Sequence, residues 1–161
     1  MKITAQEEYG LRVLIRIASC KDSEGMSIPQ LSETEQLSQH YIAKLTRLLR
    51  MANLIRSTPG NKGGYVLAKS SSDIIIKNVL EALGAPLDKE FTDENGAVMR
   101  FCTNSVDCSS RSLWQMIQMT VNNLLEKITL LDLVQRNGEE NKTIFDALSG
   151  EFLGNDYIFN K

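Results

Sequence analysis

The chain has 161 residues, with 18 Lys and Arg against 20 Asp and Glu, so its formal net charge is −2. This length suits one domain, or one small domain with an appendage, and the 42% hydrophobic and 24% charged content is ordinary for a soluble globular protein. No apolar run approaches the roughly 18 residues of a membrane span, no secretory signal is present, and the three unevenly spaced Cys indicate a reducing setting, so we expect a cytoplasmic protein with no membrane partner.

Capping signals near the N-terminus predict three helices. Thr4 begins a capping-box motif and predicts a first helix over residues 5–20. Ser27 begins a second such motif, ahead of a short helix. Ser38 is a favoured N-cap for a third helix that reaches about residue 52 and has apolar residues at helical spacing on one side.

Two β-prone runs follow, residues 54–58 and 65–69, around a turn that contains a proline and three glycines. This pattern predicts a β-hairpin. Ser71 or Ser72 then favours the start of a fourth helix that ends at Gly84.

The second half of the chain contains one long helix. Residues 85–108 lack clean periodicity and predict a loop, after which Ser109 or Ser110 favours the start of the longest helix. A short helix over residues 130–136 and an acidic tail complete the chain.

The net charge conceals one basic segment. From Gln36 to Ser72 the chain has no Asp or Glu but six Lys and Arg, which gives +6, while the remaining 12 basic and 20 acidic residues give −8. A short basic module in an acidic chain is typical of a phosphate-binding surface.

The order of the first elements is typical of a winged helix-turn-helix: two short helices, a tight turn, a third helix and then a hairpin. The predicted fold is therefore mainly α with a small β-hairpin, and its third helix has the size to enter the major groove of DNA. The first turn of that helix suits base edges, and the basic residues suit phosphates. The predicted DNA contacts are Ser38, Gln39, His40, Tyr41, Lys44, Arg47, Arg56, Asn61 and Lys62.

The long helix has more apolar surface than the small winged-helix domain needs to bury; we refer to this domain, residues 1–84, as the head. Its apolar residues step by three and four positions, which favours a partner helix in a homodimer over packing on the head of the same subunit alone. The predicted dimerisation residues are Leu113, Trp114, Ile117, Val121, Leu124 and Ile128.

Several stretches resemble the IscR/NsrR/CymR family of bacterial winged-helix regulators. They are residues 1–12, 37–49 and 63–67, Cys108 with Trp114, and residues 128–133. The resemblance covers about residues 1–136 and implies homodimers that bind two-fold symmetric operators in double-stranded DNA and regulate transcription. With the patterns above it divides the chain into a DNA-binding domain (1–84), a sensory loop (85–108), a dimerisation region (109–136) and an acidic tail (137–161).

Many members of this family hold an iron–sulfur cluster through three Cys in the loop before the long helix, and thiolates are the soft ligands that such clusters use. Cys102 and Cys108 match the last two of these three positions. The first is missing, because residues 21–101 contain no Cys, and Cys20 does not match it.

The resemblance therefore implies a mixed-ligand [2Fe–2S] cluster, as in the two-Cys redox regulator RsrR. Glu8 falls where some relatives place a carboxylate ligand, and Glu35 falls where RsrR uses a His. His40, the single imidazole of the chain, is the other candidate for the fourth ligand.

Each candidate ligand also has an interpretation without metal. Glu8 has the i, i+4 spacing for an ion pair with Arg12, Glu35 suits a solvent-facing helix end, and His40 suits a DNA contact alone. The two Cys suit a reversible disulfide or inert thiols, and Cys20 a buried small hydrophobe.

Three other functions are open at this point. A regulator of the same fold without a cluster would sense thiol oxidation, a small effector or a protein partner. A protein-interaction module would use the basic segment to bind an acidic partner. An enzyme is disfavoured, because the single His leaves no catalytic pairing away from the third helix and no nucleotide-binding motif is present.

Overall fold

Helices and one hairpin make up the described chain. The computed structural model describes residues 3–59, 63–85 and 106–134, with side chains in the last stretch from residue 113 onward, residue 115 excepted. In chain order the elements are α1 (Ala5–Ser19), α2 (Ile28–Glu35), α3 (Gln39–Met51), β1 (Ile55–Ser57), β2 (Tyr65–Leu67), a 3₁₀ turn (Ser71–Asp73), α4 (Ile76–Ala82), α5 (Val106–Lys127) and α6 (Leu130–Val134).

Side-chain caps determine where the first three helices begin. The Thr4 hydroxyl accepts a hydrogen bond from the N–H of Glu7 (3.4 Å), and the Glu7 carboxylate accepts one from the N–H of Thr4 (2.9 Å). At α2 the Gln30 side chain accepts from the N–H of Ser27 (2.8 Å), and at α3 the Ser38 hydroxyl accepts from the N–H of the third helical residue (3.2 Å). These bonds satisfy N–H groups that lack a partner within the helix, and they confirm the predicted starts.

The apolar faces of α1, α2, α3 and α4 meet in one core. In α3 the buried residues recur at intervals of three and four, which leaves the opposite face of this helix outside the core. The buried apolar side chains are Val13, Leu14, Ile17, Leu31, Ile42, Leu45, Leu49, Leu54, Ile55, Ile74, Ile76, Val79, Leu83 and Leu130.

The hairpin strands β1 and β2 are antiparallel, with Ile55 opposite Leu67 and Ser57 opposite Tyr65. Met26, in the segment between α1 and α2, extends this ladder: its N–H donates to the Tyr65 carbonyl (3.1 Å) and its carbonyl accepts from the Tyr65 N–H (2.9 Å). The hairpin is therefore attached to the helices by backbone hydrogen bonds as well as by its side chains.

The fourth helix begins later than predicted. Neither Ser71 nor Ser72 caps it, because residues 71–73 form the 3₁₀ turn and the backbone is extended at Ile74 and Ile75. This extended segment pairs with residues 128–130, where the Leu130 N–H donates to the Ile74 carbonyl (2.8 Å). The β-branched side chains of consecutive isoleucines suit an extended backbone, and tertiary pairing outweighs the local helix signal.

The long helix begins earlier than predicted. Since α5 starts at Val106, Ser109 and Ser110 lie inside the helix, and the backbone of Cys108 belongs to the helix and not to the preceding loop. The rest of the predicted sensory loop and the acidic tail lie outside the described residues.

Backbone hydrogen bonds join the end of α5 to the head. The N–H of Ile76 donates to the carbonyl of Ile128 (2.9 Å), beside the bond between Leu130 and Ile74. Lys77 of α4 adds an ion pair to Glu126 of α5 (2.9 Å). We refer to this region, residues 74–77 with 126–130, as the head–helix joint. None of the helices in the described ranges is both long enough and apolar enough to cross a membrane.

Candidate nucleic-acid interface

The outer face of α3 is polar and basic. One face of this helix is buried in the core, and the charged and amide side chains of its first three turns lie on the exposed face. This helix and the hairpin after it lie in the segment from Gln36 to Ser72, which has no acidic residue to neutralise them. The exposed residues are Ser38, Gln39, His40, Lys44 and Arg47.

Tyr41, the remaining predicted contact from this helix, is half-buried against α1. Its ring meets the ring of Tyr9 edge to face, with the centroids 6.2 Å apart and an interplanar angle of 84°. The guanidinium of Arg12 lies 5.5 Å from the centroid of the Tyr9 ring, within cation–π range. Tyr41 therefore ties the first turn of α3 to α1 whether or not it also contacts DNA.

The hairpin would supply the other predicted contacts. Arg56 is exposed on β1. Asn61 and Lys62, at the predicted tip, lie outside the described residues, so their role stays a prediction.

A threonine hydroxyl secures the base of the hairpin. The Thr58 hydroxyl donates to the backbone carbonyl of Glu24 (2.8 Å) and accepts from the N–H of Gly64 (3.1 Å). Gly64 permits this close approach, because a Cβ there would lie 2.2 Å from the same Glu24 carbonyl oxygen. The hairpin is thus held against the segment that precedes α2.

Glu35, the last residue of α2, accepts hydrogen bonds from two arginines of α1. Its Oε2 lies 2.9 Å from Nη2 and 3.0 Å from Nε of Arg12. Its Oε1 lies 2.9 Å from Nε of Arg16. The side chain of Glu35 is only 2% exposed. The solvent-facing interpretation of Glu35 is therefore wrong, since the chain brings two cations to this carboxylate from 23 and 19 residues away.

The candidate cluster ligands do not come together in the described residues. Glu8 is exposed on α1 and His40 on α3, whereas both oxygens of Glu35 are occupied by guanidinium groups. Among the described side chains, those of residues 3–59, 63–85, 113–114 and 116–134, no three His, Cys, Asp or Glu are grouped so that they could hold a metal ion. Cys102 lies outside the described residues, and only the backbone of Cys108 is described.

The chemistry of the donor set still separates the candidates. Two thiolates, a free carboxylate and an imidazole are groups that iron accepts, whereas a carboxylate that already neutralises two arginines is a poor ligand. Cys20, at the C-terminal cap of α1, is a partly buried free thiol.

The predicted dimerisation residues behave differently at the two ends of α5. Toward its C-terminus Ile128 packs against the core of the head, together with Leu125. Val121 and Leu124 are half-buried, and toward the N-terminus the side chains are open, with Trp114 62% exposed. The stripe packs on its own head only at one end. The exposed apolar residues on α5 are Leu113, Trp114, Met116, Ile117 and Met119.

Sequence reasoning did not single out Thr58, Arg16, Met116 or Met119. Thr58 and Arg16 act through partners far away in the chain, so no local spacing reveals them. The two methionines are three positions apart, one before and one after Ile117, and could have been found by widening the helical stripe of α5.

Known proteins are similar to this chain in both sequence and fold. A family model described as Rrf2, iron-dependent transcriptional regulator, matches residues 3–136. The protein Rrf2 of Nitratidesulfovibrio vulgaris is 34% identical over 138 residues, which cover 84% of this chain and 88% of that protein. The transcriptional regulator CymR of Bacillus subtilis is 32% identical over 149 residues, which cover 90% of this chain and 99% of CymR.

The solved structure of CymR (YrzC), the global cysteine regulator of B. subtilis, matches with a TM-score of 0.66 and 29% identity, covering 84% of this chain and 97% of that one. These likenesses confirm the predicted winged-helix fold and the predicted family resemblance. They also confirm that the chain is a regulator and not an enzyme, because these relatives are named as regulators. The chain belongs to the Rrf2 family of transcriptional regulators.

Proposed function

We propose that this chain is a homodimeric regulator that binds the bases of double-stranded DNA with α3 and the neighbouring DNA phosphates with its hairpin. The observation that supports this most strongly is the outer face of α3, which is exposed, basic and free of acidic neighbours along the sequence. As a transcriptional regulator, it would work in the cytoplasm, where bacterial DNA lies.

The two kinds of contact follow from position on the helix. Gln39 and His40 lie in the first turn, which meets base edges when a helix enters the major groove. His40 is available for such a contact only where it does not hold the cluster proposed below. Lys44, Arg47 and Arg56 are long cations that suit phosphates, as does Lys62 at the predicted tip.

Selection of DNA from a random pool tests the proposal. The full chain, purified without oxygen, selects duplexes from random sequence, and the dissociation constants for the selected duplex and a scrambled duplex are measured across a salt series. We expect a selected sequence with two-fold symmetry and an affinity that falls steeply with salt. Absence of enrichment above the starting pool contradicts the proposal.

The exposed apolar residues of α5 support dimerisation through this helix. Leu113, Trp114 and Ile117 share a helical stripe, and a second copy of the helix would remove these side chains from water. To bind two half-sites, a symmetric dimer must place its two α3 helices about one turn of DNA, roughly 34 Å, apart.

For sensing, we propose a [2Fe–2S] cluster held by Cys102, Cys108, Glu8 and His40. The description of the family as iron-dependent supports this. Glu35 is not part of the set, because its carboxylate is already engaged by Arg12 and Arg16. The cluster would supply one-electron oxidation and reduction, and the residues of this chain would supply two thiolates, a carboxylate and an imidazole.

Iron and sulfide analysis of anaerobically purified protein, with an absorption spectrum, tests the cluster. We expect a coloured protein, and we expect Cys102→Ala, Cys108→Ala and Glu8→Ala each to abolish the colour. The matched control is Cys20→Ala, which removes a thiol outside the proposed set and leaves the spectrum unchanged. Colourless, iron-free wild-type protein contradicts the proposal.

A regulator without a cluster is the second candidate. It is favoured by the absence of any Cys over residues 21–101, which removes one of the three thiolates, and by the likeness to a global cysteine regulator. This candidate predicts DNA binding that iron chelation does not change and that the thiol oxidant diamide weakens through Cys102 and Cys108.

A further inference from the structure

Glu35 lies at the turn between α2 and α3, the two helices of the helix-turn-helix. It is the last residue of α2, and the next residue, Gln36, has a left-handed backbone (φ 55°) that turns the chain toward α3. A carboxylate buried at this point is stabilised only if cations reach it, and Arg12 and Arg16 do so from consecutive turns of α1.

The same arginine links this carboxylate to the start of α3. The Arg12 guanidinium lies over the ring of Tyr9, and the Tyr9 ring meets Tyr41 in the first turn of α3. A continuous set of contacts therefore runs from the turn, through α1, to the first turn of the proposed reading helix. We refer to Glu35, Arg12, Arg16, Tyr9 and Tyr41 as the Glu35 network.

The Glu35 network affects contacts to base edges more than it affects contacts to phosphates. Hydrogen bonds to base edges require the reading helix to be placed within a fraction of an ångström, whereas long-range attraction to phosphates tolerates small rotations of the helix. A change at the turn therefore affects sequence discrimination more than general attraction to DNA.

We propose that Glu35 is the positioning residue of the recognition helix: through its two arginines it sets the angle of α3 against α1, and so the ability of the protein to discriminate between DNA sequences. Glu35 does not itself contact DNA or metal in this proposal. The inference rests on the proposed reading of DNA by α3.

The test compares Glu35→Gln with Glu33→Gln in the full chain. Both changes remove one negative charge from α2, and Glu33 is exposed, so the pair separates position from net charge. The probes are the duplex selected by wild-type protein and a scrambled duplex of the same length. We expect Glu35→Gln to weaken binding of the selected duplex about tenfold, which corresponds to roughly one base contact, while Glu33→Gln preserves the wild-type ratio between the two duplexes.

Two further readouts distinguish positioning from loss of fold. Binding of the scrambled duplex and its dependence on salt should match those of Glu33→Gln, and circular dichroism should show a cooperative thermal transition. If Glu35→Gln does not fold, Arg16→Gln replaces it, because this variant keeps the ion pair between Arg12 and Glu35; we expect it to reduce discrimination as well.

The outcomes separate the two proposals. A folded Glu35→Gln, or failing that Arg16→Gln, with wild-type discrimination overturns the positioning role, and so does an equal loss of affinity for both duplexes. If wild-type protein itself does not discriminate between duplexes, the proposed reading of DNA by α3 fails first and the positioning role falls with it.

Discussion

Gly10 shows how tightly single residues are constrained in the head. It lies where α1 packs on Leu83, and a Cβ at this position would come within 2.3 Å of a Leu83 methyl group. Leu83 is only 1% exposed, so its side chain has little space into which it can move. The absence of a side chain at Gly10 therefore sets the distance between α1 and the end of α4.

We predict that Gly10→Ala destabilises the protein. Overpacking costs about 1–3 kcal/mol, and the better helix propensity of alanine offsets at most about 1 kcal/mol of this. Urea unfolding measures the change. In a Leu83→Ala background the same substitution should cost less, because the clashing methyl groups are absent; an equal cost in both backgrounds would show that this contact is not the cause.

Thr58 gives a second prediction for a single side chain. Thr58→Val keeps the shape of the residue but removes the hydroxyl that binds the carbonyl of Glu24 and the N–H of Gly64. We expect a loss of about 1 kcal/mol in unfolding free energy and weaker DNA binding, because the base of the hairpin is released. Thr58→Ser retains the hydroxyl and should behave as wild type; if both variants bind DNA equally well, the hydroxyl does not hold the hairpin for binding.

Local residue signals were predictable, and distant pairs were not. The caps at Thr4 and Ser38 follow from a side chain and a backbone group three residues apart, so a short window contains the whole interaction. The partner of Thr58 lies 34 residues away. The pairing of Glu35 likewise depends on how α1 and α2 pack, which no spacing in the sequence encodes.

At the scale of elements, α3 has one face buried in the core and one face exposed to solvent. Its exposed polar residues divide into a pair in the first turn, Gln39 and His40, and long cations further on. The helix therefore provides both a sequence-dependent and a sequence-independent part of the proposed interface.

We predict that two substitutions in α3 separate these parts. Arg47→Ala should weaken binding to all duplexes and reduce the salt slope by about 1, since one phosphate contact is lost. Gln39→Ala should change base preference at one position in a repeated selection. Lys21→Ala, an exposed cation outside the basic segment, serves as the control and should change neither. If neither Arg47→Ala nor Gln39→Ala affects binding, α3 is not the reading helix.

Element boundaries were predicted well where caps decide them and less well elsewhere. The starts of α1 and α3 agree with their caps, but α4 begins only at Ile76, because Ile74 and Ile75 pair with the segment after α5. The start of α5 shows the same limitation: several residues before Ser109 are compatible with a helix, and serine is also tolerated inside one.

At the scale of the whole molecule, the exposed apolar side chains on α5 are the main feature that the single chain leaves unpartnered. They lie in the middle of the helix, over residues 113–119, and the described residues of the same chain do not cover them. Composition and periodicity predicted this stripe, but not that its C-terminal end is covered by the head of the same subunit.

We predict that Ile117→Glu converts the protein to a monomer. Burying a carboxylate in an apolar seam without a partner is strongly unfavourable, so the equilibrium shifts toward separate chains. Sedimentation equilibrium measures the mass. Met51→Glu is the matched control, because Met51 is 69% exposed but lies on α3 and not on α5. A dimer that survives Ile117→Glu would place the interface elsewhere.

The head–helix joint has a consequence for how such regulators diversify. Its hydrogen bonds connect backbone groups near Ile75 and Thr129, so they persist when side chains change. Substitutions on α5 could then alter the crossing angle of two subunits, and with it the spacing between operator half-sites, without touching α3. Substitutions on α3 would alter which bases are read and leave the spacing intact. The base sequence of each half-site and the distance between half-sites would therefore evolve independently in this architecture.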